Sequence, residues 1–179
     1  MHAEIAIAGS GGQGVLLVGR ILAEAGVLEG REVVWLPSYG AEKRGGSVGC
    51  HVTISDDKIG SLVVTHPDAA IAMNQASAVK FEPAMKPGSL LIINDSMVTT
   101  KVERADIRVA YIPANHLAIE LGSDSIANMV ILGTLVAGYT VVSPSSIIVS
   151  MDYMFSKNPK ALEMNKRAFN KGLSVCLNN

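Results

Sequence analysis

A glycine-rich segment near the amino terminus constrains the fold of this chain more than any other feature. Residues 9–14 read Gly-Ser-Gly-Gly-Gln-Gly, directly after the apolar run Ile-Ala-Ile-Ala at 5–8 and directly before Val-Leu-Leu-Val at 15–18. Glycine lets the backbone take positive φ and approach a ligand closely. A helix behind such a loop presents unpaired N–H groups and a positive dipole end to an anion. The segment therefore predicts a strand, a tight loop and a helix.

The same segment matches the G-x-G-x-x-G pattern of dinucleotide-binding folds, in the strand-then-helix context that the pattern requires. A nicotinamide site also needs an acidic residue about 20 residues further on, at the end of the second strand, to hold a ribose. Here the second strand ends Leu-Pro-Ser at 36–38, and Glu29 and Glu32 lie at its beginning. Two interpretations stay open, a loop that binds an anion or phosphate and a tight turn that lets the helix pack closely. NAD is disfavoured.

The rest of the chain alternates short apolar strands with helices and ends in a helical third, a pattern typical of a three-layer α/β/α sandwich around a Rossmann-like, mainly parallel sheet. A turn signal at 56–60, Asp-Asp-Lys-Ile-Gly, predicts a hairpin and hence one antiparallel excursion. We expect a single domain over residues 1–179. The predicted strands are 4–8, 32–36, 47–55, 69–73, 89–94 and 107–112, and the predicted helices are 14–29, 75–85, 114–121, 126–139, 144–155 and 159–177.

Composition narrows the possible partners and cofactors. With 49% apolar and only 17% charged residues, such a chain is expected to hide part of its surface in a larger assembly. A net charge of −1 gives no electrostatic reason to expect nucleic acid or an anionic membrane. The cysteines, Cys50 and Cys176, form no CxxC pair, which excludes a self-contained four-cysteine iron–sulfur or zinc site.

The location of the chain follows from the same features. Reduced cysteines are typical of a cytoplasmic protein, and an amino terminus that runs straight into a strand predicts no signal peptide. Residues 125–151 carry no charge, but their continuous apolar part covers only 129–142. A bilayer span needs roughly 20 apolar residues, so we expect two buried or interface helices and no membrane segment.

A second unusual segment follows the second strand. Residues 39–46 read Tyr-Gly-Ala-Glu-Lys-Arg-Gly-Gly, three consecutive charges among glycines in a chain poor in charge. A loop at the carboxyl end of strand two is expected beside the 9–14 loop, at the edge where open α/β sheets bind ligands. Arg44 could pair bidentately with a carboxylate or phosphate, with Glu42 orienting it. A solvated surface turn explains the segment equally well.

Other polar residues give weaker signals. Asn128 opens an apolar helix, where a cap or a buried hydrogen-bond network is favoured over a ligand contact. His116 and Glu120 are four apart on a predicted helix without a third ligand, which favours capping or surface pairing over a metal site. His51 and His66 have no visible base or nucleophile partner. We therefore assign no catalytic residue and no metal ligand to the chain.

Taken together, the two glycine-containing segments resemble the gamma subunit of the 2-oxoacid:ferredoxin oxidoreductases, the family of the pyruvate, 2-oxoglutarate, 2-oxoisovalerate and indolepyruvate enzymes. The similarity covers nearly the whole chain, and one departure is Lys43, where the family more often has an uncharged residue. The matching residues are Gly9-x-Gly11-Gly12-Gln13-Gly14-Val15, Tyr39-Gly40-x-Glu42-x-Arg44-Gly45-Gly46, Lys86-Pro87-Gly88, Ala127-Asn128-Met129, Leu132-Gly133, Asn165, Ala168-Phe169 and Gly172.

The resemblance implies a role that the residues alone do not reveal. Enzymes of this family decarboxylate a 2-oxoacid on thiamine diphosphate, transfer the acyl group to coenzyme A and pass two electrons through iron–sulfur clusters to ferredoxin. The resemblance implies that other subunits carry thiamine diphosphate and the clusters. This chain would then bind no cofactor alone and be inactive alone. Its expected partners are alpha and beta subunits, a ferredoxin-like delta subunit as a further candidate, and ferredoxin indirectly; a homodimer is a candidate for the isolated chain.

The resemblance also implies where ligands would bind. The gamma subunit packs near the active site, where it could complete the site and receive the phosphates of coenzyme A. The alternative function is a free-standing nucleotide- or dinucleotide-binding enzyme, or a regulatory module, that uses the Gly9–Gly14 loop. The expected binding residues are Gly9, Ser10, Gly11, Gly12, Gln13, Gly14, Tyr39, Gly40, Glu42, Arg44, Gly45 and Asn128.

Overall fold

A six-stranded sheet with helices on both faces organises the chain, and the computed structural model describes residues 1–40 and 46–175 of it. The elements are β1 (His2–Ser10), α1 (Val15–Leu28), β2 (Glu32–Tyr39), β3 (Ser47–Ser55), β4 (Ala69–Ala72), α2 (Gln75–Phe81), β5 (Leu90–Asn94), β6 (Arg108–Ile112), α3 (Ala114–Glu120), α4 (Ala127–Gly138), α5 (Pro144–Met154) and α6 (Pro159–Leu173). The sheet order is β2-β3-β1-β4-β5-β6. Short 3₁₀ turns follow α2, at Glu82–Ala84, and precede α4, at Asp124–Ile126.

Strand directions bring the two glycine-containing segments to one edge of the sheet. Strands β1, β4, β5 and β6 are parallel. Strand β3 is antiparallel to both of its neighbours, β1 and β2, so β2 runs in the same direction as β1. The carboxyl ends of β1 and β2 therefore lie at the same edge, which we call the carboxyl edge.

The antiparallel excursion is confirmed, but the turn predicted at 56–60 is wrong. The antiparallel strand is β3, which pairs with β1 and with β2 and follows β2 in the chain through residues 40–46. Residues 56–60 follow β3 and lead on towards β4, which pairs with β1 in parallel. The backbone N–H of Asp56 donates to the Met1 carbonyl at 2.9 Å, which extends the β1–β3 ladder by one bond. The turn-like sequence at 56–60 therefore follows the end of β3 but does not form a hairpin with the next strand.

Alternating side chains divide the interior into two cores, because successive strand residues point to opposite faces. Ile5, Ile7 and Ile92 belong to the larger core, with residues of α1, α3, α4, α5 and α6. Ala6 and Leu91 belong to the smaller core, with residues of α2 and of the segments around β5 and β6. This layering confirms the three-layer α/β/α prediction.

Local start signals explain why the helix boundaries could be predicted closely. Ser143 caps α5 by accepting from the Ser146 N–H, and Asn158 caps α6 by accepting from the Ala161 N–H, each with proline next. The last helix ends at Leu173, short of the predicted 177. The Ser174 hydroxyl donates to the Lys171 carbonyl and the Val175 N–H donates to the Gly172 carbonyl, so the α-helical pattern closes there. Residues 176–179 lie outside the described part.

The uncharged stretch that could mimic a membrane segment forms the centre of the larger core. In α4 every residue from Ala127 to Val136 is buried, and α4 crosses α6 where Gly133 and Gly172 meet. A Cβ on either glycine would collide with backbone of the other helix. Within residues 1–40 and 46–175, no helix combines the length and hydropathy that a bilayer crossing needs.

Candidate functional site

The four glycines of the 9–14 loop differ in backbone conformation and in the space around them. A Cβ on Gly9 would lie 2.8 Å from Cβ of Met73, so Gly9 serves close packing against the end of β4. Gly14 has φ +71° and precedes α1, and a Cβ there would collide with the Asn128 amide. Gly12 has φ +95° and Gly11 does not have positive φ, yet a Cβ on either meets nothing within 4 Å. Gly11 and Gly12 therefore form the exposed tip of the loop.

The side chains of the loop hold its shape. The Gln13 amide oxygen accepts from the Ser10 N–H at 2.7 Å, and its amide nitrogen donates to the Met73 carbonyl at 3.0 Å. The Ser10 hydroxyl accepts from the Asn74 amide at 2.7 Å. The sequence predicts Gln13 and Ser10 as ligand contacts. In the structure, their hydrogen bonds hold the loop against the end of β4 and the start of α2.

Backbone donors at the loop tip are available to an anion. Among the residues that the structure describes, the N–H groups of Gly12 and Gly14 meet no acceptor. The first N–H groups of an α-helix have no partner within the helix, and the first turn of α1 carries no acidic residue. The intrahelical pattern begins where the Val18 N–H donates to the Gly14 carbonyl. This arrangement suits a negatively charged group.

The second glycine-containing segment lies against the first, as predicted. The Gly11 N–H donates to the Gly46 carbonyl at 3.1 Å, and the Gly40 N–H donates to the Ser47 carbonyl at 2.6 Å. Tyr39 is 70% exposed beside them. Glu42, Arg44 and Gly45, which the sequence predicts as binding residues, lie outside the described residues.

A cavity of about 300 Å³ opens at the carboxyl edge on the side of α2, and we call it the α2-side cavity. Lys80 is its one charged lining residue among those described, and Lys80 is not among the binding residues predicted from the sequence. Lys80 stands in the last turn of α2 without a motif to mark it, so only the fold reveals its position. The lining residues are Ala8, Gly9, Ser38, Tyr39, Gly40, Ser47, Val48, Gly49, Asn74, Ala76, Ser77 and Lys80.

The charge of Lys80 affects the pKa of His51, which lies on the same face of the sheet. His51 lies on β3 opposite Leu36 of β2 and Ala6 of β1. Burial and the nearby Lys80 charge lower its pKa, against the opposite effect of Glu4. His51 is therefore mainly neutral at pH 7 and leaves Lys80 as the local cation.

A smaller cavity of about 80 Å³, the α4-side cavity, borders the other flank of the loop at Gly12, Gln13 and Asn128. Asn128 is only 3% exposed. Its amide nitrogen donates to the Gly14 carbonyl at 3.3 Å, and its amide oxygen accepts from the Met129 N–H at 3.0 Å. These bonds favour the buried-network interpretation of Asn128 over a ligand contact.

The described residues include one cysteine, which is buried, and no cluster of side chains placed to bind a metal ion. Burial raises the pKa of the Cys50 thiol to about 11, although a hydrogen bond with Trp35 opposes the shift. The Cys50 thiol also contacts the Val15 carbonyl at 3.8 Å. Residues 1–40 and 46–175 contain no group of three or more His, Cys, Asp or Glu placed to hold a metal ion, and no ion pair joins His116 to Glu120 there.

Comparison with known proteins shows a consistent kinship. The family model described as pyruvate ferredoxin/flavodoxin oxidoreductase matches residues 4–175. The ketoisovalerate oxidoreductase subunit VorA of Methanothermobacter thermautotrophicus is 36% identical over 170 residues, which cover 94% of this chain and 35% of VorA. The chain thus spans about a third of the length of that relative.

Solved structures extend the kinship to the fold. The gamma subunit of a keto/oxoacid ferredoxin oxidoreductase from Geobacter sulfurreducens is 34% identical, with a TM-score of 0.79 and 95% of each chain covered. A 2-oxoglutarate:ferredoxin oxidoreductase from Magnetococcus marinus, with 2-oxoglutarate, coenzyme A and succinyl-CoA bound, is 25% identical. It matches with a TM-score of 0.89 over 99% of this chain and 32% of that one.

Proposed function

This chain belongs to the pyruvate ferredoxin/flavodoxin oxidoreductase family, and from that premise we propose that it is the gamma component of a multi-subunit 2-oxoacid:ferredoxin oxidoreductase. The observation that carries the proposal is the end-to-end match, 95% of both chains, with a gamma subunit from Geobacter sulfurreducens. The proposed reaction converts a 2-oxoacid, coenzyme A and oxidised ferredoxin to acyl-CoA, carbon dioxide and reduced ferredoxin. The proposed partners are alpha and beta subunits and a ferredoxin-like delta subunit, in the cytoplasm.

The side chains of the described residues do not fit an iron–sulfur cluster. Cluster ligands are cysteine thiolates, and Cys50 is a buried thiol with a raised pKa. In this proposal the clusters and thiamine diphosphate belong to other subunits, which supply the decarboxylation and electron-transfer chemistry. This chain contributes binding and positioning, not a reacting group.

The carboxyl edge fits an anionic ligand. The Gly12 and Gly14 N–H groups supply donors at this edge, where Gly12 borders the α4-side cavity together with Asp124. The Lys80 ammonium supplies a donor to the α2-side cavity, which has no carboxylate among its described lining residues. Ser38 and Ser47 add hydroxyl groups to the same cavity. A phosphate needs such a set of donors. We propose that this edge receives the phosphates of coenzyme A, the ligand named for the Magnetococcus marinus enzyme.

Further residues predicted from the sequence complete this proposal, and three of them, Glu42, Arg44 and Gly45, lie outside the described part. Arg44 would add a bidentate donor to the phosphate or to a carboxylate of a partner subunit, and Glu42 would orient it. Gly45 and Gly40 would let the backbone approach the phosphates closely. Tyr39 would offer its exposed ring beside the nucleotide.

The fold gives no support to the alternative of a nicotinamide-dependent enzyme. Strand β2 ends at Ser38 and Tyr39 without a carboxylate to hold a ribose. Glu29 lies at the opposite end of α1 and accepts from the Ser143 N–H at 2.6 Å.

Substitution of Lys80 tests the coenzyme A role. In an enzyme reconstituted with its partner subunits, Lys80→Met should raise KM for coenzyme A roughly tenfold, the loss expected for a charge-assisted contact. The matched control is Lys58→Met, an exposed lysine that follows β3 at the opposite edge of the sheet. Equal KM values for the two variants would exclude Lys80 from the binding site. Catalysis unaffected by omission of this chain would refute the subunit assignment itself.

A further inference from the structure

A third cavity lies in the helical layer, between α1 and the end of α5. Its volume is about 330 Å³, and it is lined by Arg20 of α1, by Tyr153 and Met154 at the end of α5, and by Ser156 and Lys157. We call it the α1–α5 cavity. It shares no lining residue with the α2-side or the α4-side cavity.

Two cations line the α1–α5 cavity without a counter-charge. In the described part of the chain neither Arg20 nor Lys157 forms an ion pair. Asp152, next to the cavity in sequence, is bound to the Lys166 ammonium at 2.6 Å. Glu24 follows Arg20 by one helical turn, a spacing that favours pairing, yet does not pair with it. Two like charges that share one cavity repel each other, and an anion between them would relieve that repulsion.

An aromatic ring completes the α1–α5 cavity. Helix α5 buries Ile147 and Met151 in the larger core, whereas Tyr153 is 73% exposed at the cavity. Tyrosine rings stack on planar groups, and the flexible thioether of Met154 adapts to the shape of a bound group. Ser156 adds a hydroxyl that can donate to a phosphate oxygen.

From this juxtaposition we propose that the α1–α5 cavity binds a small phosphorylated molecule that carries a planar ring. The phosphate lies between Arg20 and Lys157, which provide a planar fork of donors and a mobile point charge. Ser156 donates to the same phosphate, and the ring stacks on Tyr153. The volume of about 330 Å³ falls within the range of roughly 300–1,000 Å³ that small-molecule sites occupy.

The test is an NMR titration of the 179-residue chain with three probes: inorganic phosphate, ADP and adenosine. Phosphate and ADP should shift the amide resonances around Arg20 and at 153–157, with ADP bound more tightly than phosphate or adenosine. Arg20→Met and Lys157→Met should each weaken ADP binding at least about tenfold. Tyr153→Leu should weaken binding of ADP and leave that of phosphate unchanged.

Controls keep the outcomes distinct. Lys160→Met removes an exposed lysine of α6 that does not line the cavity, and it should leave ADP binding unchanged. Melting temperatures within about 2 °C of the parent would show that the variants fold, as expected for surface substitutions. Shifts confined to 11–16 and 74–80 would place the anion at the carboxyl edge and overturn the proposal. It would equally be overturned if an acidic peptide, hexaglutamate, bound the cavity and ADP did not.

Discussion

Replacement of Gly12 by alanine separates the structural and the ligand-binding roles of the glycine loop. Gly12 has φ +95°, and a Cβ built there meets nothing within 4 Å. The protein itself therefore has room for the methyl group, and the cost of the substitution is backbone strain alone. For a non-glycine residue at positive φ this cost is roughly 1–2 kcal/mol. In a chain of this size it should lower the melting temperature by about 2–8 °C.

A matched control is present in the same chain. Gly30, in the turn between α1 and β2, has φ +74° and also has open space where an alanine methyl group would lie. Gly30→Ala should destabilise the chain by a similar amount, but it lies at the sheet edge opposite the glycine loop. Any difference in activity between the two variants then reports on what approaches Gly12.

The assay is the KM for coenzyme A of the reconstituted enzyme, measured beside thermal unfolding of the isolated chain. Gly12→Ala should raise KM severalfold because the methyl group occupies the space that the ligand approaches, and Gly30→Ala should leave KM unchanged. If both variants melt lower and both retain the parent KM, the 9–14 loop is a structural turn and the reasoning is refuted.

Three further predictions concern the chain alone, a charged loop and the response to acid. The purified chain should show no iron-dependent visible absorption and no 2-oxoacid-dependent ferredoxin reduction; stoichiometric iron with a visible band would contradict the assignment. Arg44→Ala should leave the melting temperature of the isolated chain nearly unchanged, yet weaken assembly or acyl transfer at least about tenfold, or roughly 1.4 kcal/mol; the reverse pattern would assign Arg44 to the fold. The pKa of Glu29 lies below its ordinary value of 4.5: burial raises it, but the Ser143 N–H and the Ser143 and Ser146 hydroxyls outweigh burial, helped by Arg31. Its stabilising contribution is therefore complete above about pH 4.5 and is lost as the pH falls through the lowered pKa. Glu29→Gln should make the melting temperature depend less on pH between pH 5 and pH 3. The same pH dependence in this variant as in the parent would refute the stabilising role of Glu29.

The sequence alone determined those features that depend on neighbouring residues. Glycines after an apolar run define a strand–loop–helix unit, and Ser143-Pro144 and Asn158-Pro159 define helix starts, because φ preferences and caps act within a few residues. Six strands and six helices could be located in this way, and the parallel arrangement followed from strands that are apolar throughout.

Only the tertiary structure decided features that depend on distant residues. Gln13 and Asn128 are both among the binding residues expected from the sequence, although a cap or a buried network is favoured for Asn128. Their amides bond Met73 and Gly14, 60 and 114 positions away. No sequence motif predicts that Lys80 lines the α2-side cavity, because the position of Lys80 depends on how α2 packs beside β1. The hairpin predicted at 56–60 failed for the same reason. A local turn signal fixes where the chain bends, whereas strand pairing is fixed by long-range hydrogen bonds and the burial of both faces of the sheet.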